Sequence, residues 1–217
     1  MTTFTNQDGI AILHELIATI AANKQYLSDI DGKIGDGDHG INMNKGFMLC
    51  GEQLTVDNNL TTGLKTLSKV LMTQIGGSMG PLYGMFFRSM AKECDGVQSI
   101  DASVFGRMLA ASKAGVISIS QAKPGDKTLV DVLFPAEECY QHALRDGQDF
   151  SQCLAAMTKA ARDGRDATEN MVAKVGRSSR LGERSRGVID AGAASCCLIL
   201  ETFSTSIHQL LRVGGTS

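Results

Sequence analysis

Apolar residues recur at every third or fourth position along most of this chain, and alternating period-two runs are scarce. Over residues 8–28, Ile10, Leu13, Ile17, Ile20 and Leu27 form one stripe, which predicts a first helix with Asp8 as its N-cap. A second helix is expected from about Asp38 to Leu54. A third, over residues 60–75, turns Leu64, Leu67, Val70, Leu71 and Ile75 to one face. Gly76 and Gly77 end it, and Pro81 suits the start of a fourth that runs to about Cys94. The pattern continues over 101–119 and over 127–145, where Asp126 offers an N-cap and Pro135 a kink. It resumes over 150–172, opened by Asp149 or Ser151, and over 191–211. Short connections between eight such helices favour antiparallel neighbours. The expectation is an all-α, up-and-down bundle forming one domain across residues 1–217. The longest irregular stretch, 174–190, is rich in arginine and reads as a mobile loop.

Composition narrows the core chemistry. Trp is absent and aromatic residues make up 5%, so the interior must be built chiefly from aliphatic side chains, which suit helices. A net charge of −2 argues against a nucleic-acid-binding face. The six cysteines include no C-x-x-C pair, and no secretory leader is evident. Reduced, buried thiols in a cytoplasmic protein are therefore expected. No apolar run approaches the ~18 residues a membrane span requires.

Charge becomes informative at "DGKIGDGDHGIN", residues 31–42, where Asp31, Asp36 and Asp38 stand among glycines. Carboxylates that close repel unless protonation, hydrogen bonds or a cation relieves them. An EF-hand is excluded, because no register from Asp29, Asp31 or Asp36 reaches a Glu at its twelfth position. Converged Asp oxygens with few other protein ligands suit Mg²⁺, which completes its octahedron with water and phosphate. The helix start nearby favours anions. Three Asp at −3, ADP at about −3 and two Mg²⁺ at +4 come close to balance. Turn-filling and helix capping explain the same aspartates without a ligand. His39 is a poor Mg²⁺ ligand, and a structural or nucleotide-contacting role fits it better.

Four further segments carry candidate chemistry. "IGGSMGPLYG" (75–84) allows close backbone approach or simply turns the chain. "AKPGDKTLVDVL" (122–133) offers Lys127 to a phosphate or to the surface. "GRSSRLGERSRG" (176–187) reads as an arginine clamp or as a surface loop, and "DAGAAS" (190–195) as a helix start capped by Asp190. Clustered at one end of the bundle, these helix starts would form an end-on nucleotide site. No Walker A, protein-kinase or Ser-His-Asp signature is present, and His14, His142 and His208 read as ordinary helix residues.

Taken together, these four segments and the aspartate loop resemble the nucleotide-binding L subunit of dihydroxyacetone kinases, over nearly the whole chain. The resemblance implies an eight-helix antiparallel barrel with the nucleotide at one end. It implies two Mg²⁺ ions on Asp31, Asp36 and Asp38, and ADP or ATP as cofactor. The implied nucleotide contacts are His39, Gly40, Ile41, Asn42, Ser78, Met79, Ser120, Leu129, Arg177, Asp190, Ala191 and Gly192, with Arg177 also catalytic. Implied partners are a ketose-binding K subunit and a phosphohistidine M subunit of the phosphotransferase system. A homodimer and a transcription regulator stand as further partners of such a protein, and nucleic acid and membrane do not. The extent of the chain matches a stand-alone L subunit. Met79, Ser120 and Ala191 depart from the family's usual residues. Of these, Met79 leaves two alternatives open: an ATP-exchanging paralogue acting on another triose or tetrose, and a nucleotide-loaded regulatory partner of a transcription factor without chemistry of its own.

Overall fold

The structure, a computed structural model, describes residues 2–213. Nine α-helices lie among them: α1 (Ile10–Ala22), α2 (Lys24–Ile34), α3 (His39–Gly51), α4 (Leu60–Gln74), α5 (Met79–Glu93), α6 (Ala102–Ile119), α7 (Val130–Arg145), α8 (Phe150–Ala167) and α9 (Ala191–Val213). From α3 onward each helix packs on its successor. The last, α9, returns against α1 and α2, which in turn pack on α3, so the ring closes. Apolar stripes meet inside it. Phe47, Phe86 and Phe87 fill one half, and Phe105, Tyr140 and Phe203 the other.

The expected all-α single domain is what the chain forms, with local corrections. The long first helix is two. At Asn23 (φ −101°, ψ 7°) the chain leaves helical geometry, and the Asn side chain donates to the Thr19 carbonyl in competition with the ladder. Beyond that break, α2 continues to Ile34, so Asp31 lies on a helix rather than in a loop. Asp8 is not a cap; it accepts from the Thr5 hydroxyl at 2.6 Å. Asp126 does not cap α7 either: its carboxylate accepts from Lys123 N, while Asp131 accepts from Thr128 N. Asp149 does open α8, in a reciprocal capping box with Gln152. Helix α8 ends at Ala167, followed by a 3₁₀ turn over Thr168–Asn170. The 174–190 stretch is likewise folded, as 3₁₀ turns over Arg177–Ser185 broken at Gly182.

Two short strands escape the periodicity. Strand β1 (Thr3–Thr5) pairs antiparallel with β2 (Ser99–Asp101), placing Phe4 beside Ile100 under the bundle. Next to them the buried Asn6 side chain donates to Thr61 Oγ1 and to the Cys94 and Val97 carbonyls. Those bonds join the starts of α1 and α4 to the α5–α6 connection at one end. The α2–α3, α4–α5, α6–α7 and α8–α9 connections gather at the opposite end, which is where the chemistry lies.

Glycine and proline let the helices approach closely. Pro135 in α7 has no N–H for the Asp131 carbonyl one turn back. Helix α8 crosses at that carbonyl with Gly164, where any side chain would collide with it. The cysteines are free thiols, all buried except Cys139, which is exposed.

Gly40 sits where α3 crosses α2. A Cβ there would lie 2.8 Å from Ser28 N and closer still to the Lys24 carbonyl. Alanine normally favours a helix over glycine by about 1 kcal/mol. Here Gly40→Ala should instead destabilise by about 2 kcal/mol, lowering the melting temperature by roughly 4–8 °C. A thermal melt followed by circular dichroism checks this; a raised midpoint would show that α2 and α3 separate freely.

Candidate functional site

A cavity of about 820 Å³ opens at the end where the four connections meet. The N-termini of α3, α5, α7 and α9 all reach its wall through His39, Met79, Val130 and Ala191. Each helix start carries about half a positive charge and unpaired N–H groups. Four of them around one cavity favour an anion there.

The acidic cluster faces this positive ring. Asp31 projects from the last turn of α2, Asp36 from the α2–α3 connection, and Asp38 from the residue before α3. One carboxylate oxygen of each lies within 4.8 Å of the others. Two glycines make the convergence possible. Gly35 leaves room for the Asp31 carboxylate, which any Cβ would strike, and Gly37 takes φ 76° to reverse the chain. Asp31 Oδ2 also accepts from His39 N at 3.2 Å, tying the cluster to the start of α3. Three converged hard oxygen donors with no sulfur or imidazole among them fit Mg²⁺ or Ca²⁺. Arg177 pairs with Asp36 and approaches Asp38 at 4.0 Å, so its guanidinium reaches the same carboxylates.

His39 is oriented away from the metal-ligating role. Its Nε2 lies 2.8 Å from Ser195 Oγ, and Tyr83 Oη lies 2.6 Å from the same hydroxyl. Both hydroxyls reach the Gly192 carbonyl at 3.1 Å. Burial pushes the His39 imidazole down to about 4, outweighing the pull of Asp31, so the ring is neutral at pH 7. Tyr83 and Ser195 lie inside the 75–84 and 190–195 segments, but they carry no charge that marks them there. Their signal is a polar residue on a buried helix face.

Asp190 caps α9 through Ala193 N at 2.8 Å. Burial pushes its carboxyl up to about 7, although the Ala193 N–H and Lys127 favour the charged form. Asp31, Asp36, Asp38, His39, Asn42, Ser78, Met79, Ser120, Leu129, Arg177, Asp190, Ala191 and Gly192 all line the cavity. Two expected contacts do not. Gly40 is buried at the α2 crossing, and Ile41 is 52% exposed on the outer side of α3. Lys127 does line the cavity, but it is neither a surface residue nor free to meet a phosphate, because it is buried with its ammonium on backbone carbonyls.

The raised Asp190 carboxyl links stability to pH. Its folded value lies above the unfolded value near 4, so the fold holds the extra proton between about pH 4 and 7. This contribution is present below pH 4 and is lost as the pH rises through 7. Asp190 borders the cavity, and water there screens the penalty, which leaves about 1–2 kcal/mol. Asp190→Asn keeps the cap and removes the charge. The variant should match the parent at pH 4.5 and melt higher at pH 8. Equal midpoints at both pH values would show that the carboxylate is well solvated.

Comparison with known proteins gives this geometry a context. The DAK2 domain family model matches residues 33–205. The chain is 36% identical over 191 residues to the ADP-binding subunit DhaL of the PEP-dependent dihydroxyacetone kinase of Escherichia coli K12, covering 87% of this chain and 91% of that one. It is 36% identical over 187 residues to the DhaL subunit of the PTS-dependent dihydroxyacetone kinase of Lactococcus lactis, covering 84% and 88%. The fold matches that of the C. freundii dihydroxyacetone kinase crystallised with AMP-PNP and Mg²⁺. The TM-score is 0.63 at 23% identity, over 91% of this chain and 33% of that one. With a family model spanning most of its length and relatives matched nearly end to end, this chain belongs to the DAK2 domain family, among its DhaL-type subunits.

Proposed function

We propose that this chain is the ADP/ATP-binding subunit of a dihydroxyacetone or related short-chain ketose kinase. The observation that carries the reading is the meeting of three carboxylates, four helix N-termini and Arg177 at one cavity. Carboxylates and phosphates repel each other unless cations lie between them. Helix N-termini favour the phosphates directly. A site with both therefore suits a metal-bound di- or triphosphate. The volume is that of a small-molecule site.

Asp31, Asp36 and Asp38 would hold the Mg²⁺, taken here as two ions, which neutralises the phosphate charge that builds during transfer. The neutral His39, held by Ser195, presents no charge to compete with that metal. Arg177, on the exposed side of the cavity, can place its planar fork on the oxygens of a group in transit. The apolar Leu82, Ile119, Ala122 and Leu129 offer a surface for a base. The ketose would sit on a separate K subunit. The phosphoryl group would come from a phosphohistidine M subunit, a route supported by the names of PEP- and PTS-dependent relatives.

Two measurements test this. In calorimetric titrations with Mg–ADP, Asp36→Asn and Asp38→Asn should each weaken binding by more than the ~10–100-fold that follows loss of a ligand's supporting partner. Their helical spectra should be unchanged. Undiminished affinity in both variants would remove the metal assignment. In single-turnover transfer from ATP-loaded protein to a K subunit with ketose, Arg177→Ala should slow the step ~10³-fold and weaken ADP binding far less. Arg177→Lys should recover little, because lysine keeps the charge without the fork. Parent-like rates for the alanine variant would assign the phosphate contact elsewhere.

A further inference from the structure

We propose that Lys127 is a positioning residue whose ammonium ties both ends of the 168–188 segment together and so holds Arg177 at the cavity. This inference rests on the phosphoryl-transfer reading of the cavity. The Lys127 side chain is among the most buried in the protein, with 1% of the residue exposed. Its Nζ donates to the Thr168 carbonyl at 2.6 Å and the Met171 carbonyl at 3.2 Å, where α8 gives way to the segment. It also donates to the Val188 carbonyl at 2.5 Å, where the segment re-enters α9. An ammonium has three N–H donors, and all three are committed. None is left for a phosphate, which separates this residue from a lysine that binds nucleotide directly.

The backbone supports the same conclusion. Lys127 has φ 63°, and among the described residues it is the one non-glycine with positive φ. Glycine would take that conformation without strain. A lysine there makes sense only if its side chain is needed. Asp131 steadies the strained turn by accepting from Gly125 N and from Thr128 N, both on the approach to α7. One residue earlier, the Asp126 carbonyl accepts from Lys174 N at 3.2 Å, and its carboxylate lies 3.5 Å from Lys174 Nζ. The α6–α7 connection thus grips the base of the Arg177 segment from below. Further bonds close that base: Gly187 N donates to the Glu169 carbonyl, and Ala173 N to Ser185 Oγ. Between these fixed ends, Gly176 and Arg177 reach the cavity wall.

Two variants separate the ammonium from the turn. Lys127→Gly relieves the backbone and removes the clamp. Lys127→Met keeps the apolar stem and loses only the donors. The segment contains Arg177, Arg180, Arg184 and Arg186, so trypsin reports its opening directly. Both variants should be nicked at these arginines at least ~10-fold faster than the parent while keeping their helical spectra. Single-turnover transfer should fall roughly 100-fold, the cost of misplacing a catalytic group, while Mg–ADP affinity changes by less than about threefold. If either variant fails to fold, the other carries the test. Parent-like nicking in the folded variants overturns the clamp whatever the activity. Transfer at parent rates from a nicked-fast variant, alongside an impaired Arg177→Ala, overturns positioning. A large loss of Mg–ADP affinity with unchanged transfer at saturation also overturns it, by making Lys127 a nucleotide contact. If Arg177→Ala is itself fully active, the catalytic role given to Arg177 has failed and the phosphate contact lies elsewhere, and the nicking rate still decides the clamp.

Discussion

Four helix N-termini pointed at one cavity would repel one another unless something negative lay between them. That electrostatic constraint organises this molecule. The ring of antiparallel helices forces every second connection to the same end, so the starts of α3, α5, α7 and α9 converge there whether or not a ligand exists. Asp31, Asp36 and Asp38 supply negative charge at one side of the ring. Their own mutual repulsion then calls for a cation, and Arg177 already reaches two of them. A metal-bound polyphosphate satisfies both sets at once.

Such a site needs rigid edges, and the packing provides them. Helices approach closely at glycines, Gly40 against α2 and Gly164 against α7, so the helix starts have little freedom to spread. The Asn6 bonds and the β1–β2 pair fasten the far end, away from the cavity. Polar groups at the cavity end are tied in networks: His39 with Ser195 and Tyr83, Asp131 with the turn before α7, and Lys127 with the Arg177 segment. The first and last of these join residues distant in sequence, the second is local to its turn, and each places a group at the cavity wall. The Arg177 segment is the least helical part of this wall. It is fixed at its base and reaches the cavity through Gly176 and Arg177.

Much was legible in the chain itself. Helical periodicity over long segments determined the all-α class and nearly every helix, because a stripe of apolar residues has only one good place to go. Asp149 and Asp190 were readable as caps, since capping depends on residues three apart. The crowding of Asp31, Asp36 and Asp38 among glycines pointed to a cation, and the order of the motifs pointed to the family. Those features are local, and local features survive in sequence.

Tertiary structure decided the rest, because it depends on partners far along the chain. The break at Asn23 turned one apparent helix into two and put Asp31 on α2, a choice that the apolar stripe running through 8–28 does not mark. Strands β1 and β2 are three residues each, too short for any periodicity, and form only because the bundle brings residues 3 and 101 together. Gly40 and Ile41 belong to a cavity-lining motif in sequence, yet the helical turn sends one to a helix crossing and the other to solvent. Lys127 reads as a surface or phosphate-binding lysine because lysines usually are. Only the fold brings the Thr168, Met171 and Val188 carbonyls, 41 to 61 residues away, to a single ammonium. Burial of a charge is settled by which polar groups converge on it, and in this protein that convergence is a property of the closed ring.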